Sequence, residues 1–311
     1  MRIAVTGGTG RIGGQVVELL TAAGGHEVVA LSSRTAPYDN PSALRAALDG
    51  VDTLVFVSSD GEAARVIVHH RNVVQAATQC RVGHVVLLSG LDGDLQSPFC
   101  YAYTNGDTER LLRTSGRPYS IVRASLYTEF FLSLLLQVST GGPDGAVALP
   151  AADGRVSLVA REDVARCLAA PALGEPTNRH HDVTGPDSLP VDAVAAMAGY
   201  RYTEITPAEF AGMLLRRGEA LWWTYAYTTM FESIRQGRWE TTSDAVAQLT
   251  GRPPASLPQV LSRGNNRNER PASQAPHSDG SAHRSAQGAE RAPPAAPRST
   301  SRPSGGAGQA H

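Results

Sequence analysis

The spacing Gly7-x-x-Gly10-x-x-Gly13 sits directly behind a short apolar run, Arg2–Val5, and directly ahead of a helical pattern carried by Val16, Val17, Leu19 and Leu20. A helix that follows a strand after so few residues must turn sharply and bring its N-terminus against the strand end. Glycines at that spacing provide the tight turn and the close helix–strand packing. The rest of the chain narrows the choice of fold. Apolar runs at Val28–Leu31, Val51–Val57, Val82–Leu88 and Tyr119–Arg123 alternate with helical patterns at Gly61–Cys80 and Asp107–Ser115. Alternation of this kind is the signature of right-handed crossovers, and it predicts an α/β fold with a doubly wound parallel sheet.

The rhythm continues more loosely through a strand at Val156–Val159, a helix at Glu162–Ala170, a strand at His181–Thr184 and a helix at Val191–Ala198. A mostly helical stretch, Pro207–Val260, ends it. The expected organisation is a Rossmann domain over residues 1–150 and a small, mostly helical C-terminal lobe over 151–262, partly interleaved with the sheet. From Arg263 to His311 there is no Val, Ile, Leu, Met, Phe, Tyr, Trp or Cys. Such a segment has nothing to offset the entropy of ordering, so 263–311 is expected to be a disordered tail. Its arginines outnumber Glu269, Asp279 and Glu290. It serves either as a weak electrostatic tether or only to aid solubility.

Composition excludes several classes of function. With 28 basic and 29 acidic residues the formal charge is −1, which gives no reason to expect nucleic acid or an anionic membrane as partner. Every basic residue is Arg. Without lysine there is no Schiff base, no P-loop lysine and no lysine-assisted tyrosine. Cys80, Cys100 and Cys167 are widely separated, which suits a reducing cytoplasm and excludes a cysteine-rich zinc module. The longest apolar stretch, Phe130–Val138, is too short to span a bilayer, and no signal peptide is evident at the start. A cytoplasmic protein acting on a small molecule is expected.

In its strand–turn–helix setting the glycine loop points to a dinucleotide, with the pyrophosphate at the helix N-terminus. Cofactor choice turns on the end of the second strand, where NAD sites usually carry an acid. Here it reads Leu31-Ser32-Ser33-Arg34. Arg34 can pair with a 2′-phosphate, Ser32 or Ser33 can add hydrogen bonds, and Arg11 lies in the loop itself. The expected cofactor is NADP(H).

At this point the chain resembles the NmrA-like group of atypical short-chain dehydrogenases, and within it the NADPH-dependent quinone oxidoreductase branch. The resemblance covers residues 1–262. It rests on TGGTGRIGG at Thr6–Gly14, HRNVVQAA at His70–Ala77, ERLLRTSGRPYSIVRASLYTEFF at Glu109–Phe131, DGRVSLVAREDVA at Asp153–Ala165 and SDAVAQLTGRPPASL at Ser243–Leu257. It implies that Gly7, Thr9, Gly10, Arg11 and Ile12 line the pyrophosphate, with Arg34 at the adenosine phosphate. Val57, Ser58 and Ser59 would flank the ribose. Ser89 would stand where catalytic short-chain dehydrogenases carry their serine, and Ala124, Ser125, Leu126 and Tyr127 would lie beside the nicotinamide. The candidate catalytic residues are Tyr101, Ser89 and Tyr127.

Two departures stand out. The Tyr-x-x-x-Lys pair of the dehydrogenases falls at Tyr101 and Asn105, and Asn105 can hydrogen-bond a ribose hydroxyl but supplies no charge to lower a phenol's pKa. Tyr101 or Tyr103 is therefore either a wall of the pocket or a general acid. Secondly, only four residues separate Arg34 from Asp39, where the family places a helix and a strand. The resemblance then implies a trimmed sheet edge and an open adenine side.

His69-His70 and His180-His181 lack metal-ligand spacing, so no metal is expected. The aromatics Trp222, Trp223, Tyr225, Tyr227, Phe231 and Trp239 form either a wall that stacks on a planar ring or the packing seam of the C-terminal helices. The apolar helix opening at Glu129-Phe130-Phe131 is equally a cleft wall or a homodimer surface. The leading expectation is hydride transfer from NADPH to a quinone-like or other activated conjugated acceptor. The alternatives are a non-catalytic NADP(H)-binding redox sensor and a paralogue that folds but no longer binds.

Overall fold

The apolar runs of the first half become strands because both of their faces are covered. In the computed structural model, which describes residues 1–140 and 145–268, the chain runs β1 (Arg2–Val5), α1 (Arg11–Ala23), β2 (Glu27–Ala30), α2 (Pro41–Leu48), β3 (Thr53–Phe56), α3 (Ala63–Gln79), β4 (His84–Gly90), α4 (Cys100–Thr114) and β5 (Tyr119–Ala124). It continues through α5 (Thr128–Val138), β6 (Ala146–Leu149), β7 (Arg155–Val156), α6 (Arg161–Ala172), β8 (His180–Val183), β9 (Leu189–Pro190), α7 (Val191–Met197) and β10 (Arg201–Glu204). Helices α8 (Pro207–Arg216), α9 (Leu221–Arg235), α10 (Ala245–Thr250) and α11 (Leu257–Asn268) follow.

Six strands form one parallel sheet in the order β2-β1-β3-β4-β5-β8. Alternate side chains go to opposite faces. Ile3, Val5, Val55, Val86 and Val122 join Val16 and Leu20 of α1 and Val164 and Leu168 of α6 in one core. Ala4, Leu54, Phe56, Val85, Leu87 and Ile121 join Leu44, Val73 and Leu112 of α2, α3 and α4 in the other. This is the doubly wound parallel sheet that the alternation predicts. A third core is built from Phe131, Val147, Leu149, Phe210 and Phe231, contributed by α5, β6, α8 and α9.

The third core and the sheet layer draw on alternating segments of the chain. α5 and β6, both before residue 150, lie in the third core, whereas α6, β8 and α10, all after it, complete the Rossmann layer. The described residues through Arg267 form one compact unit.

Several elements differ from the sequence pattern. α4 begins at Cys100, two turns before the expected Asp107, because its first turns bury small and polar side chains (Ala102, Thr104, Gly106) rather than an apolar stripe. α2, over Pro41–Leu48, is not among the elements that the pattern predicts. Asn40 caps it, accepting from Ser42 N and Ala43 N at 3.1 and 3.0 Å, and Pro41 stands at the first helical position. Strands β6 and β10 pair in a separate two-stranded sheet that the pattern does not reveal. Buried Leu257 and Val260 anchor α11, which runs through 263–268, and Arg263 reaches Glu162 at 3.0 Å. The remainder of the expected disordered tail, 269–311, lies outside the described residues. Among the described residues no helix is long and apolar enough to cross a membrane.

Candidate functional site

From β1 the chain passes to β2 on one side and returns to β3 on the other, so the C-terminal end of β1 marks a topological switch point. The glycine loop occupies it. Gly7 adopts φ +60°, in the left-handed region that favours glycine, and a Cβ on Gly13 would fall 2.2 Å from Gly7 O. Gly8, which the spacing alone does not single out, also lacks room: its N–H donates to Leu31 O at 2.8 Å and a Cβ would lie 2.9 Å from Ala30 Cα. The N-terminus of α1 has no side-chain cap and no acidic residue in its first turn. Its first amide groups, at Arg11, Ile12 and Gly13, are thus left to an external anion. Thr9 and Gly10 close the turn, with Gly10 N donating to Gly7 O at 2.8 Å.

The contact between Gly8 and Leu31 brings the end of β2 beside this loop. Ser32 N donates to Thr35 Oγ1 at 2.9 Å and Arg34 N donates to Ser32 Oγ at 3.3 Å, forming a tight turn with Arg34 exposed. Among the described residues the Arg34 guanidinium has no ion-pair partner. Nothing pairs with the outer edge of β2 among them either, so the sheet does end where the shortened segment implies. Tyr38 closes that end by donating from its hydroxyl to Val57 O at 2.7 Å and meeting Phe56 and His69 edge-on.

Next along the sheet is the loop after β3. Val57 N donates to Thr6 Oγ1 at 2.9 Å, and Ser58 Oγ donates to Leu88 O at 2.6 Å. Ser59 N donates to His70 Nε2 at 3.0 Å. Because Thr108 Oγ1 donates to Thr104 O, it can only accept from His70 Nδ1, 2.7 Å away. His70 is therefore the neutral Nδ1–H tautomer, and burial pushes its pKa down to about 3. Its task is to hold the serine loop, a structural role. Ser59 Oγ is buried and finds no hydrogen-bond partner among the described residues. The uncapped helix, the glycine cradle and this orphaned hydroxyl all fit a bound dinucleotide.

Beyond the loop, a cavity of about 380 Å³ opens over the ends of β4 and β5. It gathers Ser58, Ser59, Ser89, Tyr101, Asn105, Ala124, Ser125 and Tyr127 from the expected site, and leaves the glycine loop and Arg34 to one side. Ser89 Oγ donates to Glu109 Oε1 at 2.7 Å. Glu109 is fully buried between Arg123, bound through both carboxylate oxygens at 2.8 and 2.6 Å, and Arg113 at 2.8 Å. The serine proton is thus committed to a structural carboxylate. Tyr101 and Asn105 face the cavity from successive turns of α4. The Tyr101 hydroxyl accepts from Gly61 N at 2.9 Å, and burial pushes its pKa up to about 12. Tyr127 is likewise pushed up to about 12 by burial, with the Arg161 guanidinium 5.5 Å from its ring centroid pulling the other way. No phenol here is tuned toward neutral pH. Among the described residues no group of His, Cys, Asp or Glu is arranged to hold a metal.

The opposite wall is aromatic. Trp223 stacks on Tyr227 with centroids 5.9 Å apart, and Phe99 and Trp239 complete the enclosure. The aromatic cluster thus divides: Trp223, Tyr227 and Trp239 face the cavity, Phe231 is core, and Tyr225 is exposed. A network that sequence reasoning missed fixes Trp239. Its Nε1 donates to Ser233 Oγ at 2.6 Å, Ser233 Oγ donates to buried Asp92 at 2.6 Å, and Arg238 pairs with Asp92 at 3.0 Å. Asp92 and Ser233 lie 141 residues apart, so nothing local in the sequence could reveal their contact.

Comparison with known proteins agrees with this geometry. A family model described as NAD(P)H-binding matches residues 7–175. An NmrA-like family domain-containing oxidoreductase of Aspergillus flavus is 27% identical over 82% of this chain and 92% of its own length. An NAD(P)H azoreductase of Xenophilus azovorans is 29% identical over 81% of this chain and 93% of its own. Among solved structures, the NADPH complex of an NADPH-dependent quinone oxidoreductase from Escherichia coli superposes with a TM-score of 0.77 at 26% identity, covering 85% of this chain and all of that one.

Proposed function

This chain belongs to the NAD(P)H-binding family, among its NmrA-like members, and from that premise we propose that it reduces a planar conjugated acceptor of the quinone type with NADPH. The observation that carries the reading is the aromatic cavity over Ala124–Tyr127, walled by Trp223, Tyr227 and Trp239, whose phenols Tyr101, Tyr127 and Tyr227 are all pushed up by burial away from neutral pH. When bound, the dinucleotide supplies a hydride. The α1 amides and Arg11 hold its diphosphate, Arg34 and Ser32 meet the 2′-phosphate, and Ser59 and Asn105 meet the ribose. Ala124 and Ser125 form the floor beneath the ring that reacts.

A quinone suits such a site because it accepts hydride readily and its reduced oxygen can take its proton from water. The protein would then contribute alignment and exclusion of solvent: the aromatic walls would confine a flat acceptor, and the network through Asp92 keeps Trp239 from rotating away. Tyr101 acts as a wall, because its oxygen is occupied by Gly61 N–H and its proton is held far too tightly to leave near neutrality.

The test is NADPH oxidation by the purified full chain with 1,4-benzoquinone, menadione and a simple ketone. Turnover of the quinones without turnover of the ketone supports the reading. Micromolar NADPH binding with no quinone turnover overturns it, and favours a cofactor-sensing protein in its place.

A further inference from the structure

One charged side chain in the cavity has no use in the scheme above. Arg161 opens α6, and its guanidinium lines the cavity beside Tyr127, Phe130 and Tyr227. It makes no side-chain hydrogen bond or ion pair among the described residues. The nearest acid on its own side is Glu129, whose two carboxylate oxygens accept from the Arg161 backbone N–H at 3.2 and 3.1 Å and stay beyond ion-pair distance of the guanidinium. The carboxylate that lines the cavity itself is that of exposed Asp60, near Tyr101. Burial holds Arg161 below the usual arginine range, helped by the like charge of Arg11 in the glycine loop and opposed by the nearby Glu129 carboxylate.

A half-buried guanidinium with an aromatic face beside it and, among the described residues, no carboxylate within ion-pair distance is an incomplete arrangement. Its planar fork of donors matches a carboxylate, sulfonate or phenolate, and it stands at the edge of a space shaped for a flat ring. We propose that Arg161 is a specificity-determining residue that selects acceptors bearing an anionic substituent on the ring. This inference rests on the quinone-type reading of the same cavity. Arg11 already serves the glycine loop and repels a second cation there. Arg161 lies over Tyr127 and lines the same cavity as Ala124 and Ser125.

The experiment compares 1,2-naphthoquinone-4-sulfonate with uncharged menadione in wild type, Arg161→Gln and Arg161→Lys. Loss of a charge-assisted hydrogen bond predicts that Arg161→Gln raises KM for the sulfonate by roughly tenfold or more, with menadione changed by no more than about twofold. Arg161→Lys should recover part of the preference. NADPH affinity, followed by nicotinamide fluorescence, should not move. A weakened NADPH complex, or equal losses for both quinones, overturns the proposal and assigns Arg161 to the cofactor. If neither quinone is reduced, the proposed function fails, but Arg161 can still be read from binding, by quenching of the wall tryptophans Trp223 and Trp239. A sulfonate preference that Arg161→Gln abolishes supports the assignment, and no preference in wild type overturns it.

Discussion

Replacing Gly13 by Ala tests the cofactor cradle at its tightest point. The new Cβ would lie 2.2 Å from Gly7 O and 2.6 Å from Gly7 C. An ordinary carbon–oxygen contact is about 3.3 Å or longer, so a gap of about 1 Å must open. Both opposing atoms are backbone, and neither can rotate aside. α1 must therefore move off the loop and carry its amide groups with it. Overpacking of this kind costs about 1–3 kcal/mol, and for a domain of this size each kcal/mol lowers Tm by about 2–4 °C. A misplacement of about 1 Å at a binding site costs on the order of a hundredfold in function, so the Kd for NADPH should rise by about that factor. The neighbouring position is an internal control. A Cβ on Gly14 meets nothing closer than Gly8 O at 3.7 Å, so Gly14→Ala should bind NADPH normally and gain up to about 1 kcal/mol from helix propensity. Fluorescence titration and thermal melts of the two variants decide the matter. If Gly13→Ala binds NADPH as well as Gly14→Ala does, the cradle argument is wrong.

Arg34→Gln should lower NADPH affinity by about tenfold or more while leaving NADH nearly unchanged, as measured by parallel titrations; an unchanged ratio of the two constants refutes the 2′-phosphate role. Tyr101→Phe removes only an acceptor for Gly61 N–H, so kcat with quinones should change by no more than a few-fold and show no new dependence on pH between 6 and 9. A large fall in kcat would restore Tyr101 as a general acid. Acid should destabilise the fold through His70 and His84, which burial pushes down to about 3 and about 4. Both lie below the ordinary value near 6.5, so the unfolded chain takes up their protons first. Stability is then complete above about pH 6.5 and is lost as pH falls toward 4, by up to about 1.4 kcal/mol per pH unit for each histidine. Urea unfolding at pH 7 and pH 5 measures this, and equal stabilities would refute it.

The sheet was legible because its central strands are buried on both faces and leave short apolar runs such as Val82–Leu88. The glycine loop was legible because three backbone constraints act within seven residues. What stayed hidden depends on distant partners. The commitment of Ser89 to Glu109 requires β4 and α4 to meet, and the hold on Trp239 requires Asp92 to find Ser233 and Arg238. Arg161 looked like any surface arginine until α6 set it against Tyr127. α2 was the one local signal overlooked, since Asn40-Pro41 is itself a helix-opening pair.

The sheet's termination at β2 gives its margin and its centre different resistance to opening. β4 and β5 each have a strand on both sides, so their amides should exchange with solvent only when much of the fold comes apart. β2 is four residues long, lies at the margin, and bears charged Glu27 and two half-covered valines. The turn that presents Arg34 hangs from this strand. A nucleotide anchored there would tighten the softest part of the sheet, and amide exchange should slow most at Glu27–Ala30 rather than in the centre. Much of what the cofactor contributes to the fold would then be felt far from the ring where its electrons leave.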